Sequence, residues 1–246
     1  MEEKSNLKFI ENLKDLNIEL TQKQLEQFDQ FYDTMVRWNK VMNLTTIKGH
    51  EEVVEKHFID SLSIVKILDK DILEGKESIK IMDLGTGAGF PGIPLKIVFP
   101  EIEIVLLDSM NKKVKFINEV IEQLGLTKIT AIHGRAEDYA KQPVYREQFD
   151  LCVSRAVANL ATLTEYCMPF VKVGGLFISY KSGNVEEELE KSIHAIHQLS
   201  GELKEVTKFQ LPGSDISRSF VQVKKTQKTP KKYPRKAGLP GKEPLA

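Results

Sequence analysis

A glycine-rich turn between a predicted strand and a predicted helix constrains the fold more than any other feature. Residues 79–95 read IKIMDLGTGAGFPGIPL, and four of the eight residues from 85 to 92 are glycine. Glycine lets a chain turn sharply at positive φ, and a helix that begins after such a turn presents backbone N–H groups without partners inside the helix. This order of strand, glycine turn and helix predicts a nucleotide-type ligand site in an α/β sheet.

The hydrophobic pattern after residue 79 predicts an α/β, Rossmann-like fold, because short strands and helices alternate. Strands are predicted at 79–84, 103–107, 128–133, 149–153, 176–180, 203–210 and 219–225. The turn-rich letters LPGSDISR separate the last two strands, so we expect the final strand to run antiparallel beside its neighbour. A seven-stranded, mostly parallel sheet with an antiparallel last strand is the plan of the class I methyltransferase fold, and this inference rests on analogy of fold.

Three regions are predicted along the chain. Residues 1–70 repeat apolar residues at helical spacing, with Thr21 and Gln24 placed as a capping box, and form a small helical N-terminal region. Residues 71–225 form the main, ligand-binding domain. Residues 226–246 form a basic C-terminal tail, because eight Lys and Arg residues follow from Lys224 onward against Glu243 alone, whereas the whole chain has a formal net charge of zero.

The composition excludes several classes of protein. No apolar run approaches the roughly 20 residues that a membrane span needs, and the acidic start MEEKSNLKFI is unlike a secretory signal. We therefore expect a cytoplasmic protein. A monomer is a separate expectation, which these features do not decide. Cys152 and Cys167 lack the CxxC spacing and the five histidines lack metal-ligand spacing, so neither a disulfide framework nor a metal site is predicted.

The letters of the glycine turn fit two cofactors. Residues 87–92 satisfy GxGxxG, the dinucleotide fingerprint, so a nicotinamide-dependent oxidoreductase stays open as an alternative. Asp83 favours S-adenosylmethionine, because a carboxylate here can engage the cationic methionine end, directly or through water, and would repel a pyrophosphate. Pro91 favours it too, because proline removes one N–H group that a pyrophosphate would use. Gly85 and Gly87 are expected to let the cofactor approach the backbone.

Two further positions are candidates for nucleoside contacts. Asp108 ends the second predicted strand, where a carboxylate can bind ribose hydroxyls, but it could also cap the helix that begins near Asn111. Ala136 and Glu137 follow the third strand, where their backbone groups could read the edge of an adenine. The alternative interpretation is that these residues form an ordinary turn between a strand and a helix. Asp108 indicates a nucleoside ligand without choosing between the two cofactors.

The residues at the end of the fourth strand limit which kinds of atom could accept a methyl group. Residues 149–157, FDLCVSRAV, contain neither the D/N/S-P-P-aromatic motif typical of exocyclic amine methylation nor the Pro-Cys pair of cytosine C5 enzymes. Cys152 is expected in the core. An acceptor without a proton to remove, such as N7 of guanine, fits these letters, since orienting it is most of the catalysis required. Arg155 is the candidate catalytic residue, holding the cofactor carboxylate, an RNA phosphate or the guanine, with a surface ion pair as the alternative.

These segments resemble the RsmG (GidB) family of bacterial 16S ribosomal RNA guanine-N7 methyltransferases. The resemblance covers nearly the whole chain and includes FPG after the glycines, the ending RKAGLPGKEPL, and the segments WNKVMNLT (38–45), HFIDSL (57–62), GRAED (134–138) and SRAVANL (154–160). It implies methyl transfer from S-adenosylmethionine to N7 of a guanosine in 16S ribosomal RNA. By position, it implies cofactor contacts at Gly85, Phe90, Ala136, Glu137 and Arg155. Asp83 and Asp108 are assigned on physical grounds instead.

The implied partner is 16S ribosomal RNA or the small-subunit ribosomal particle. The basic tail would supply phosphate contacts, although its composition alone also fits a solvated, disordered terminus. Within the tail, Tyr233 is the candidate for stacking on a base, whereas Trp38 is expected to anchor the core. An S-adenosylmethionine-dependent methyltransferase of another substrate is the second alternative, and such a protein would not need the tail.

Overall fold

Seven strands of the described chain form one mixed sheet. The computed structural model describes residues 3–47, 49–74, 79–155 and 158–245. The strands are β1 (Lys80–Leu84), β2 (Glu103–Asp108), β3 (Ile129–His133), β4 (Phe149–Arg155), β5 (Val171–Ser182), β6 (Gly201–Gln210) and β7 (Ser217–Lys225). Their order across the sheet is β3-β2-β1-β4-β5-β7-β6.

Strand direction follows the prediction. The first five strands are mutually parallel, and β7 lies between β5 and β6 and is antiparallel to both. The central β1 is buried along its length except at its first residue, as expected of a parallel strand covered on both faces. The predicted fold class, a Rossmann-like methyltransferase sheet with an antiparallel last strand, is confirmed.

Helices cover both faces of the sheet and precede it. They are α1 (Glu3–Lys14), α2 (Gln22–Asn39), α3 (His50–Val53), α4 (Asp60–Leu62), α5 (Lys70–Leu73), α6 (Gly92–Val98), α7 (Asn111–Gln123), α8 (Ala136–Tyr139), α9 (Leu160–Cys167), α10 (Glu186–Glu190), α11 (Ile193–Gln198) and α12 (Leu239–Lys242). A π-helical turn, Val54–Ile59, joins α3 to α4. None of the helices described is both long and apolar enough to cross a membrane.

Local signals fixed several helix ends. Thr21 Oγ1 accepts a hydrogen bond from Gln24 N at 3.3 Å, and Thr21 N donates to Gln24 Oε1 at 2.9 Å, so the predicted capping box begins α2. Gly125 follows α7 at φ 60°, the left-handed position that ends many helices. Residues 186–198 form two short helices, α10 and α11, and Ser192 between them donates its hydroxyl to Glu188 O at 2.6 Å, a contact that bends helices.

The N-terminal helices share a core with the face of the sheet behind the glycine turn. Phe9, Phe28 and Phe58 are fully buried and lie with ring centroids 4.9 to 6.0 Å apart. Phe31 extends this cluster to Phe90 in the glycine turn, at 5.2 Å. Aromatic pairs at these distances add to the burial of their apolar surface. The helical region is therefore packed against the segment that carries the glycines.

Residues 226–245 also pack against the rest of the protein, so the alternative interpretation of the tail as a disordered terminus is wrong. Arg146 donates to Tyr233 O at 2.9 Å and to Thr229 O at 2.8 Å. Arg235 forms an ion pair with the buried Glu165. Tyr233 itself is 4% exposed, so the prediction that it stacks on a base is wrong.

The eight basic residues from Lys224 onward are divided between buried and exposed side chains. Lys225 is fully buried, where its ammonium group donates to Met168 O at 2.7 Å and pairs with Glu147 at 3.2 Å. Arg235 is engaged by Glu165. Five lysines beyond β7 are exposed, and we call them the tail lysines: Lys228, Lys231, Lys232, Lys236 and Lys242.

Candidate active site

The glycine turn between β1 and α6 depends on the absence of side chains. Gly85, Gly87 and Gly89 have φ of 71°, 64° and 86°, the left-handed region that L side chains rarely adopt. Gly92 is required for another reason, because a Cβ there would overlap the Leu106 side chain and lie 2.8 Å from Asp83 Oδ2. The turn therefore packs directly on the sheet at Gly92, whereas a Cβ added at Gly87 would meet no atom closer than 3.9 Å.

Asp83, at the end of β1, holds the turn from inside. Its carboxylate has no exposed surface, and Oδ2 accepts hydrogen bonds from Thr86 Oγ1 at 2.7 Å and from Gly92 N at 2.8 Å. Burial raises the pKa of Asp83 to about 7, against the opposing effect of these two hydrogen bonds. The N–H group at the start of α6 is thus taken by Asp83 and is not directed at a phosphate.

This position of Asp83 changes its predicted role. Asp83 has no exposed surface, so its carboxylate does not reach the cationic end of a ligand directly in this geometry. Its second oxygen, Oδ1, is buried and has no hydrogen-bond partner among the described residues. Of the two predicted contacts with the cationic end of a ligand, this geometry is compatible only with the one through water. The hydrogen bonds of Asp83 shape the turn.

Asp108, at the end of β2, is bonded to the glycine turn. Oδ2 accepts from Gly87 N at 2.9 Å and Oδ1 accepts from Met110 N at 2.8 Å, and Lys113 Nζ lies 3.9 Å away. The N-cap residue of α7 is Met110, so Asp108 does not occupy the capping position that was its alternative interpretation. Each carboxylate oxygen can accept a further hydrogen bond, because a carboxylate has about four acceptor sites.

One cavity, of about 390 Å³, lies between the ends of β1, β2 and β3, and we call it the Glu137 cavity. Ala136 and Glu137 lie on its wall, together with Gly85 and, from the tail, Gly241. The side chain of Glu137 is turned to the tail, where Oε1 accepts from Gly238 N at 2.8 Å. The tail therefore completes a cavity that the strands begin.

A second cavity, of about 630 Å³, lies on the other side of Gly85, and we call it the Arg155 cavity. Gly87, Phe90 and Arg155 are on its wall, and residues of the N-terminal helical region close it. Two carboxylates, Asp60 and Glu188, line it. Five cationic side chains also line it, namely Lys56, Lys113, Arg155, Lys181 and Arg218.

Arg155, at the end of β4, is held inside this cavity. Its side chain is 12% exposed and pairs with Asp60 at 2.9 Å, so the ion pair is not the surface pair considered as its alternative. The guanidinium lies 5.1 Å from the centre of the Phe90 ring, and Nη2 lies 3.3 Å from His57 Nδ1. His57 in turn stacks on Phe90 at 4.5 Å and contacts Thr45 Oγ1 at 3.0 Å.

The electrostatics of this cavity favour positioning over proton removal. Burial, followed by the charge of Arg155, lowers the pKa of His57 to about 3, so the imidazole is neutral at pH 7 and a weak base. Glu188 pairs with Lys181 at 2.7 Å, and Asp60 is engaged by arginines. Over the described ranges, no group of three His, Cys, Asp or Glu side chains is arranged to hold a metal ion.

Cys152 is fully buried in β4, beside Cys167, and burial raises its pKa well above the usual range. A thiol without solvent access is not a nucleophile, as the strand pattern predicted.

Sequence reasoning missed His57, Asp60 and Arg218 as site residues. The only signal for the first two was the segment HFIDSL, which counted toward the family resemblance, and the segment around Arg218 gave none.

A sheet of this strand order, with a glycine turn after β1, is the architecture of class I, Rossmann-like methyltransferases, and the chain has that fold. It superposes on a putative sarcosine dimethylglycine methyltransferase from Galdieria sulphuraria with a TM-score of 0.54 at 13% identity, covering 73% of this chain and 89% of that one.

Sequence similarity identifies the family. The family model described as rRNA small subunit methyltransferase G (GidB) matches residues 24–221. Curated relatives named Ribosomal RNA small subunit methyltransferase G include one from Lachnoclostridium phytofermentans, 50% identical with 98% of each chain covered, and one from Thermoanaerobacter sp. strain X514, 50% identical with 100% of each covered. The chain belongs to the rRNA small subunit methyltransferase G family, and the oxidoreductase alternative is removed.

Proposed function

We propose that this protein transfers a methyl group from S-adenosylmethionine to N7 of a guanosine in 16S ribosomal RNA. The observation that carries the proposal is the similarity, over essentially full length, to relatives named Ribosomal RNA small subunit methyltransferase G. The guanine acceptor follows from the resemblance in sequence and from the chemistry of the site. N7 of guanine carries a lone pair and no hydrogen, so it needs orientation and not a strong base.

The space around Gly85 suits S-adenosylmethionine, which has a nucleoside at one end and an amino acid at the other. Gly85 lines both cavities, so an elongated ligand can extend from one to the other past a residue without a side chain. A Cβ added at Gly87 would meet no atom closer than 3.9 Å, which leaves the backbone open to a ligand. When bound, the cofactor supplies an electrophilic methyl group.

The residues divide between the two ends of the cofactor. We assign the backbone of Ala136 and Glu137 to the adenine, in the Glu137 cavity. We assign Asp108 to the ribose, because Leu107 and Ser109 on either side of it line that cavity. We assign Phe90 and Arg155, in the Arg155 cavity, to the methionine end and the guanine beside it. Asp83 acts on this site through the glycine turn.

The charges of the Arg155 cavity support an RNA substrate. Five cations against two carboxylates give the lining an excess of positive charge, which attracts a phosphate backbone. The tail lysines extend the positive surface outside the cavity. Action as a monomer in the cytoplasm stays a prediction.

Three measurements test this function. N7-methylguanosine is mapped in 16S ribosomal RNA from cells with and without the gene, and purified protein is given 16S RNA or small-subunit particles with labelled S-adenosylmethionine. We expect one guanosine to lose its N7 methyl group in the deletion and to regain it when the gene is restored. Unchanged methylation in the deletion, or transfer to another class of acceptor, would overturn the proposal. Calorimetric titration with S-adenosylhomocysteine and with NAD tests the cofactor, and only the first is expected to bind.

A further inference from the structure

Asp60 joins three distant parts of the chain at the wall of the Arg155 cavity. It begins α4 in the N-terminal helical region, and its side chain is 5% exposed. Oδ2 accepts a hydrogen bond from Arg155 Nη1, at the end of β4, and Oδ1 accepts one from Arg218 Nε, in β7, both at 2.9 Å. One buried carboxylate therefore holds two guanidinium groups.

The bond to Asp60 is the strongest restraint on the guanidinium of Arg155. Its other polar contacts are longer, with Nη1 3.3 Å from Lys56 O and Nη2 3.3 Å from His57 Nδ1. A short bond between two opposite charges is about twice as strong as a neutral one, and it is directional. Without the carboxylate, the two guanidiniums would lie close together with their charges uncompensated and would repel each other.

We propose that Asp60 is a positioning residue, which fixes the guanidinium of Arg155 in the cavity and offsets the charge of Arg218 beside it. The inference rests on the proposed function, in which Arg155 contacts the cofactor and the guanine. Misplacement of a group by about 1 Å can cost about 100-fold in rate, so loss of this restraint should be visible in turnover. It also gives the N-terminal helical region a part in the site, because Asp60 comes from that region.

A double-mutant cycle tests whether Asp60 acts through Arg155. Asp60→Asn keeps the shape of the side chain and removes its charge, and we expect kcat/KM for ribosomal RNA to fall about ten- to a hundred-fold, divided between kcat and KM as in Arg155→Ala. In the Arg155→Ala background, Asp60→Asn should cost less than about twofold more. The control is Asp150→Asn, which removes an ion-paired carboxylate from the opposite end of β4 and should keep wild-type turnover.

Additive losses in the cycle, or wild-type kinetics in Asp60→Asn, would overturn the inference. A second readout needs neither cofactor nor RNA. In nitrogen-15 NMR of the free protein, the Nη signals of Arg155 should be separate because the held guanidinium rotates slowly, and they should merge in Asp60→Asn but not in Asp150→Asn. Merged signals in the wild type would also overturn it. If the wild type failed to methylate N7 of guanosine, the proposed function would be wrong, and the NMR result would still decide whether Asp60 holds Arg155.

Discussion

Replacing Arg235 by alanine is expected to destabilise the fold by about 3 kcal/mol, because it leaves Glu165 buried without its ionic partner. Arg235 gives Glu165 three side-chain hydrogen bonds of 2.7 to 3.0 Å, and its backbone N–H gives a fourth of 2.8 Å. Glu165 has no exposed side-chain surface, whereas 22% of the Arg235 side chain is exposed. Water can reach the vacated position, so we expect the lower end of the roughly 3 to 5 kcal/mol that breaking a buried pair costs.

Differential scanning calorimetry measures this effect. For a chain of this length each kcal/mol lowers the melting temperature by about 2 to 4 °C, so Arg235→Ala should melt about 6 to 12 °C below the wild type. Lys236→Ala, which removes the exposed cation next along the chain, should stay within about 2 °C. Adding Glu165→Gln to Arg235→Ala should recover part of the loss, since the unpaired charge is then gone. A melting temperature for Arg235→Ala equal to that of Lys236→Ala would refute the reasoning.

Three other predictions concern the tail, the Arg155 cavity and the glycine turn. Replacing the tail lysines by glutamine should lower the salt dependence of RNA affinity, measured by filter binding, by about 0.7 in log–log slope for each phosphate that is no longer neutralised, with unchanged S-adenosylhomocysteine affinity. His57→Gln should remove up to about 2 kcal/mol of the stability lost between pH 6.5 and pH 5 in urea unfolding. The pKa of His57 is about 3 in the folded protein and 6.5 in the unfolded chain, so the unfolded chain binds the extra proton in this pH range and the fold loses stability as the pH falls. The raised pKa of Asp83 changes the stability of the fold in the opposite direction. The contribution of His57 is therefore the difference between the wild type and the variant. Gly92→Ala should cost about 1 to 3 kcal/mol in urea unfolding, because its Cβ would lie 2.8 Å from Asp83 Oδ2, whereas Gly49→Ala, whose Cβ would come no closer than 3.4 Å to a flexible side chain, should be nearly neutral.

Local patterns predicted the strands, and partners elsewhere in the chain decided their lengths. The pattern predicted a fifth strand at 176–180, but β5 extends over Val171–Ser182. Its first residue pairs with Phe149 of β4 and its last with Arg218 of β7, and neither partner is visible from the letters of β5 itself. Glycines at 174 and 175 also interrupt its apolar pattern, and they lie where the pairing with β4 is irregular, with Gly174 at φ 89°.

The parts of the candidate site that could be predicted are those that a short segment of the sequence specifies by itself. The glycine turn lies at both cavities, and Ala136, Glu137 and Arg155 lie on their walls, because the ends of parallel strands meet at one edge of a sheet. The role of Asp60 could not be predicted in this way. Its partners are 95 and 158 residues away, and nothing in a helical segment indicates which distant guanidinium a carboxylate will meet.

The contribution of the tail to the Glu137 cavity has a consequence during translation. Gly238, which bonds to Glu137, and Gly241, on the cavity wall, are synthesised after all seven strands. A nascent chain that has just completed β7 contains every strand of the sheet and still lacks one wall of the Glu137 cavity. Truncation of the chain after β7 would therefore remove part of the cavity wall without removing a strand of the sheet.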